Sequence, residues 1–186
     1  MILAGGGSTR FGEDKAVAVL DGRPLWEWVA SAMAPHCSEV AVAGRPGGLG
    51  DLPGLEDPGG LHQGPLSGLT AALAKEVPVL AVGVDQPWVR SATLAGLLQQ
   101  AGELAVVPVD QGVRQTTCAW YPAGLASLAR SELSGGGSIQ SLLDLASFQP
   151  VTEAEWQTWG EDGRSWFSVD TPAALEEGRA RFARPN

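Results

Sequence analysis

Short runs of consecutive apolar residues alternate with stretches whose apolar positions recur every three or four residues through most of the chain. That alternation is the pattern of βα units, and it predicts an α/β protein built on a mostly parallel central sheet. Residues 1–4 (MILA) form a short first strand, followed at once by the glycines of GGGSTRFG. In residues 20–33 (LDGRPLWEWVASAM) an Asp-Gly turn and a Pro precede Leu25, Trp28, Val29 and Ala32, the spacing of one helical face. Residues 39–43 (EVAVA) predict the second strand. Residues 44–65 are so dense in Gly and Pro that they read as one long loop, a length usually kept for function, ahead of a helix over LSGLTAALA.

Farther along, VPVLAVGV predicts a strand buried on both faces, ending abruptly at Asp85 with Pro87 two residues later. Residues 91–102 predict a helix capped by Ser91 and closed by Gly102. ELAVVPV and QTTCAWY are two further strands, and YPAGLASLAR and SIQSLLDLA two further helices. The GGG between those helices suits either a linker or a tight turn facing a substrate. In the tail, WFSVDTPAALEEGRARF predicts a strand, a turn and a last helix begun by Thr171 with Pro172 at its first position. There is no internal repeat.

Composition narrows the classes. At 186 residues the chain predicts one domain over 1–186, long enough to bury a substantial core. An apolar fraction of 44% with 18% charged residues is that of a globular protein. The formal net charge of -9 argues against a nucleic-acid partner, which would need clustered Lys and Arg, so any positive site must be local. Cys37 and Cys118 form no CxxC pair and are too few for a zinc site, so they read as apolar residues. The longest uncharged apolar run is only of strand length, which argues against a membrane role and predicts a cytoplasmic protein.

The glycine run after the first strand suits a phosphate, because such a turn gathers several N–H groups around one point. It is no P-loop, since Lys15 follows Asp14 and precedes Ala16, and a dinucleotide fingerprint begun at Gly5 and Gly7 would meet Arg10 at its last position. What remains is L-A-G-G-G-x-x-R-x-G-x-D-K. An isolated Arg and Lys are more often solvated surface charge. Here Arg10 and one of only two lysines share a short glycine loop in an acidic chain, which favours an anion site. Asp85 stands at the carboxyl end of a central strand, the edge where open α/β sheets bind ligands. Its plainer role, capping the next helix, is already filled by Ser91. A hard carboxylate there suits Mg²⁺, and Asp170 in SVDTP either offers the same ion a second oxygen or simply forms a turn. Among the seven tryptophans Trp88 is the one expected near a pocket, while Trp156, Trp159 and Trp166 are expected to cover the sheet edge or a partner surface.

LAGGGSTRFGEDK, GRPLWEWV, GPLSGL, VDQPWV and SVDTPAAL fall in an order that resembles the molybdenum cofactor guanylyltransferase family along essentially the whole chain. The resemblance implies a three-layer α/β/α nucleotidyltransferase fold and transfer of GMP from GTP to molybdopterin, releasing pyrophosphate with Mg²⁺. It implies that Leu3, Ala4, Gly5 and Gly6 line the nucleotide site, that Arg10 and Lys15 bind the triphosphate, that Asp57 lies near guanine and ribose, and that Asp85 binds metal. Partners would be the two substrates and a molybdoenzyme or another protein of the cofactor pathway. The chain departs from the family where a base-contacting Asn falls near Ala43, and where Asn-x-Asn is replaced by Ser168 and Asp170. Its first strand begins at Met1, shorter than usual, leaving an upstream start open.

The chemistry is consistent with the residues. A phosphate nucleophile is already ionised at neutral pH, so no general base is required of a chain whose only histidines are His36 and His62. Charge building on pyrophosphate would be met by Mg²⁺, Lys15, Arg10 and loop N–H groups, which makes Arg10 and Lys15 the catalytic candidates. A cytidylyl- or sugar-nucleotidyltransferase of the same fold stays open, as does a nucleotide-binding regulator without turnover.

Overall fold

The computed structural model describes residues 1–5, 14–56 and 64–182. The first half contributes β1 (Ile2–Leu3), β2 (Val19–Leu20), β3 (Arg23–Pro24), α1 (Leu25–Met33), β4 (Val42–Ala43), β5 (Gly54–Leu55), α2 (Pro65–Leu73) and β6 (Val79–Gly83). The second half adds α3 (Ser91–Gln99), β7 (Ala105–Asp110), β8 (Val113–Arg114), β9 (Cys118–Tyr121), α4 (Ala126–Ser134), α5 (Ile139–Leu145), β10 (Phe148–Val151), α6 (Glu153–Gln157) and α7 (Pro172–Arg181).

The main sheet has the order β10-β7-β9-β6-β1-β4-β5, with β8 paired to β7. The pairs β1/β4, β1/β6, β4/β5 and β7/β10 are parallel, and β9 runs antiparallel to both neighbours. The carboxyl ends of six strands therefore share one edge.

Alternation along each strand divides the core in two. Leu3, Ala43, Val79, Ala81, Ala105 and Val107 face Leu66, Leu69, Leu73, Ala129, Ile139 and Leu142 of α2, α4 and α5. Ile2, Val42, Leu80, Val82 and Val106 face Val29, Met33, Leu94, Leu97 and Trp156 of α1, α3 and α6. Because both faces are covered, the strands read as unbroken apolar runs. A third cluster joins Leu20, Leu25, Trp88, Val169, Leu175 and Phe182, and clamps α7 onto the β2–β3 hairpin and the start of α1. The α/β architecture expected from the sequence is the one observed.

Several local expectations need correction. Ser91 is the first residue of α3 and not its cap, because the cap position is Arg90, whose side chain makes no capping hydrogen bond and goes instead to the Gly160 carbonyl. Ser91 instead lies 2.7 Å from His36 Nε2. That helix gives way at Gln100, before Gly102. Residues 44–65 are not all loop, since Gly54–Leu55 add an edge strand to β4, and two residues beside a Pro give too little pattern to read. Residues 148–151 form an edge strand that the apolar pattern does not announce, because Gln149 and Pro150 break the run.

The segment expected as a strand at 166–170 is a 3₁₀ turn over Arg164–Trp166 followed by residues that join no ladder. Trp88 is buried core, edge-on to Phe167 and over Gly178, where a Cβ would lie 2.0 Å from the ring. Trp156 and Trp166 stack edge-to-face at 5.2 Å within the molecule. The three glycines end α4 as a tight turn, with Gly136 at φ +73° and the Gly137 N–H on the Glu132 carbonyl at 2.8 Å.

Candidate functional site

Strand exits supply the floor of the site. The Val84 N–H reaches the Leu3 carbonyl at 3.0 Å, and the Ala4 N–H reaches the Ala43 carbonyl at 3.0 Å, so these backbone groups of Leu3 and Ala4 serve the sheet. Beyond them the backbones of Gly5 and Gly44 touch. A Cβ on Gly44, which has φ +81°, would lie 2.2 Å from the Gly5 Cα, so only glycine fits there. Ala43 turns its Cβ toward Gly68 of α2 and is buried, so it offers nothing to a nucleobase.

Asp85 follows β6 by two residues. Its carboxylate folds back over the strand end, where a Cβ on Gly83 would meet Oδ1 at 2.4 Å. The turn carrying it is stapled by buried Gln86, whose Oε1 accepts from the Gly83 N–H at 3.0 Å and whose Nε2 donates to Thr117 Oγ1 at 3.0 Å. Sequence reasoning overlooked Gln86, although a Gln inside VDQPWV beside an apolar strand is the available signal.

The tail delivers the rest. The Val169 N–H donates to the Asp85 carbonyl at 2.8 Å, which fixes 168–170 against the β6 exit. The Ser168 hydroxyl lies 2.8 Å from Asp85 Oδ2 and 3.2 Å from Asp170 Oδ2, bridging the two carboxylates. Lys15 Nζ stands 2.7 Å from Asp170 Oδ1 and 3.6 Å from Asp85 Oδ2. Side-chain exposure rises from 15% at Lys15 through 27% at Asp85 to 60% at Asp170, so the cluster opens outward from the sheet edge.

Three predicted site residues, Lys15, Asp85 and Asp170, thus meet across 155 residues of sequence, with Leu3, Ala4 and Gly5 beneath the adjacent strand exit. Gly6, Arg10, Asp57 and His62 lie outside the described residues. Among the described residues no cluster of three His, Cys, Asp or Glu side chains is placed to hold a metal. Two carboxylates on neighbouring segments are nonetheless the hard-oxygen set that suits Mg²⁺, an ion that keeps waters and draws its other ligands from substrate phosphates. Lys15 now bridges these oxygens, a cation already in the place where positive charge is favoured. No helix among the described residues is long and apolar enough to cross a membrane.

A family model for the MobA-like NTP transferase domain matches residues 1–151. A probable molybdenum cofactor guanylyltransferase of Bacillus licheniformis is 32% identical over 191 residues, covering 95% of this chain and 94% of its own. The crystal structure of molybdopterin-guanine dinucleotide biosynthesis protein A from Archaeoglobus fulgidus superposes with a TM-score of 0.83 at 21% identity, over 98% of this chain and 97% of that one. A 2-C-methyl-D-erythritol 4-phosphate cytidylyltransferase from Thermus thermophilus shares the fold with a TM-score of 0.69 at 19% identity, over 99% and 98% of the two chains.

Proposed function

The chain belongs to the MobA-like NTP transferase family, and from that premise we propose that it transfers GMP from GTP to the terminal phosphate of molybdopterin, releasing pyrophosphate in a Mg²⁺-dependent reaction. The observation that carries this reading is the meeting of Lys15, Asp85 and Asp170 at the edge formed by the strand exits. Guanine, as opposed to cytosine, rests on the 32% identical relative named a guanylyltransferase, because the fold is common to both kinds of enzyme.

In this reading Asp85 and Asp170 hold the metal and Lys15 turns from their carboxylates to the phosphates. When bound, Mg²⁺ would neutralise charge on the triphosphate oxygens. Lys15, 15% exposed, presents its ammonium from a partly desolvated position, where a point charge acts more strongly on a developing anion than it would in water. Ser168 keeps the two carboxylates in register while Lys15 moves. No side chain has to remove a proton, since a phosphate nucleophile arrives ionised, so the chain's work is alignment and charge compensation.

Pyrophosphate release is measured with each nucleoside triphosphate, Mg²⁺ and molybdopterin, for the wild type and Asp85→Ala. The expected result is release with GTP, reduced in the variant by about 10²-fold or more, the scale of losing one pre-placed electrostatic group. Release with CTP in place of GTP overturns the substrate, and full activity in the variant overturns the metal role.

A further inference from the structure

The geometry points to Arg45 as a positioning residue for Lys15, acting through Asp14 and resting on the nucleotidyl-transfer reading of this site. Arg45 leaves β4 next to Gly44, on the opposite side of the β1 exit from Asp85. One of its Nη2 hydrogens goes to Asp14 Oδ1 in a close ion pair. The same Asp14 oxygen accepts the Ala16 N–H at 3.1 Å and caps the 3₁₀ turn Lys15–Val17. That turn sets where the Lys15 side chain leaves the backbone. A continuous chain of contacts therefore runs from β4 through Arg45, Asp14 and the capped turn to the Lys15 ammonium and the two carboxylates.

Two further observations set Arg45 apart from a surface charge. Its backbone is fixed, because its carbonyl accepts the Gly48 N–H at 2.9 Å and lies where a Cβ on Gly54 would stand 2.2 Å away. Its Nε is buried with no hydrogen-bond partner among the described residues, so Asp14 is the carboxylate compensating that guanidinium. A partly buried charge with one counter-ion holds that counter-ion in place more firmly than a solvated pair does. The Glu39–Lys75 pair, with both side chains at least half exposed, is of the solvated kind.

The test uses the fact that the chain has two lysines, Lys15 and Lys75. Protein labelled with ¹³C at the lysine ε-carbon gives two resonances, one reporting the site and the other serving as internal control. Variants are Arg45→Ala, Arg45→Lys and Asp14→Ser, the last keeping a good capping oxygen while removing the carboxylate that meets Arg45. In Arg45→Ala and Asp14→Ser the Lys15 resonance is expected to move toward that of free lysine with Lys75 unmoved, and Arg45→Lys is expected to retain most of the wild-type position. Kinetically, kcat with GTP should fall about 10- to 100-fold, the cost of a misplaced catalytic group, with KM changed far less.

In a Lys15→Ala background, Arg45→Ala should then add almost nothing, because the two act as a unit. The inference is overturned if Lys15 does not move in Arg45→Ala, if Asp14→Ser behaves as wild type, or if the Arg45 and Lys15 losses multiply. Should Arg45→Ala fold poorly, Asp14→Ser and Arg45→Lys decide the same point. A wild type that does not turn over GTP sinks the functional reading alone, since the lysine resonances still judge the role of Arg45.

Discussion

At the scale of single residues the site is a competition for one ammonium. Lys15 is shared between Asp170 at 2.7 Å and Asp85 at 3.6 Å, and the nearer partner is the more exposed, so the pair that must open first is also the better solvated. Asp170 is 60% exposed, and an ion pair with one well-solvated partner is worth less than a buried one, so Lys15 can exchange that carboxylate for the charge of a polyanion. Lys15→Ala should therefore lower kcat by about 10²- to 10³-fold while the melting temperature stays close to wild type. Steady-state kinetics beside a thermal melt checks this, and a large loss of stability would mean that Lys15 is chiefly structural. Lys15 and Asp85 were legible in the sequence because each breaks a local rule: a lysine in a lysine-poor chain, and an acid closing an apolar run. Arg45 and Gln86 were not, because their importance lies in partners 31 residues away.

At the scale of elements, tight turns decide where those side chains point. The Asp21–Gly22 turn has φ +50° and +78°, the left-handed pair that suits a two-residue hairpin, and it joins β2 to β3 as the Asp-Gly signal implied. Thr171 caps α7, accepting the Ala174 N–H at 3.1 Å with Pro172 behind it, again as expected. The elements that escaped prediction, β5 and β10, are edge strands interrupted or preceded by Pro, where pairing is settled by the neighbouring strand and not by a run of apolar residues. Gly83, the last residue of β6, is the glycine with the sharpest consequence. Gly83→Ala would press a methyl into the Asp85 carboxylate, with an expected cost of about 1–3 kcal/mol in stability and a higher Mg²⁺ requirement for activity. A denaturant melt combined with a Mg²⁺ titration checks both, and an unaltered Mg²⁺ dependence would show that Asp85 tolerates displacement.

At the scale of the whole molecule the covering of the sheet on both faces was readable from the unbroken apolar run VPVLAVGV, but the third cluster was not. Leu20 and Leu25, Trp88, and the tail residues Val169, Leu175 and Phe182 come from three separate regions and meet only because α7 folds back over the hairpin. No local period announces such a contact. Global packing also governs the thiols. Burial pushes the Cys118 thiol far above its usual range, and half-buried Cys37 is raised less. A thiol reagent at pH 8 should modify Cys37 slowly and Cys118 only after unfolding, giving a titration of one group native and two denatured. Fast modification of both in the native state would contradict the packing between β6 and β9.

The late arrival of Ser168 and Asp170 bears on synthesis. The chain emerges from its N-terminus at roughly 5–20 residues per second, and domains begin to fold as they emerge. The strands that lead into Gly5, Gly44 and Asp85 are all synthesised by residue 85, yet the partners that the tail brings to Asp85 lie 83 and 85 residues later. A nascent chain halted before residue 168 thus has the β6 exit without its second carboxylate, and under the proposed function it is expected to hold nucleotide without acting on it, which nucleotide binding beside pyrophosphate release by a chain cut at residue 167 checks.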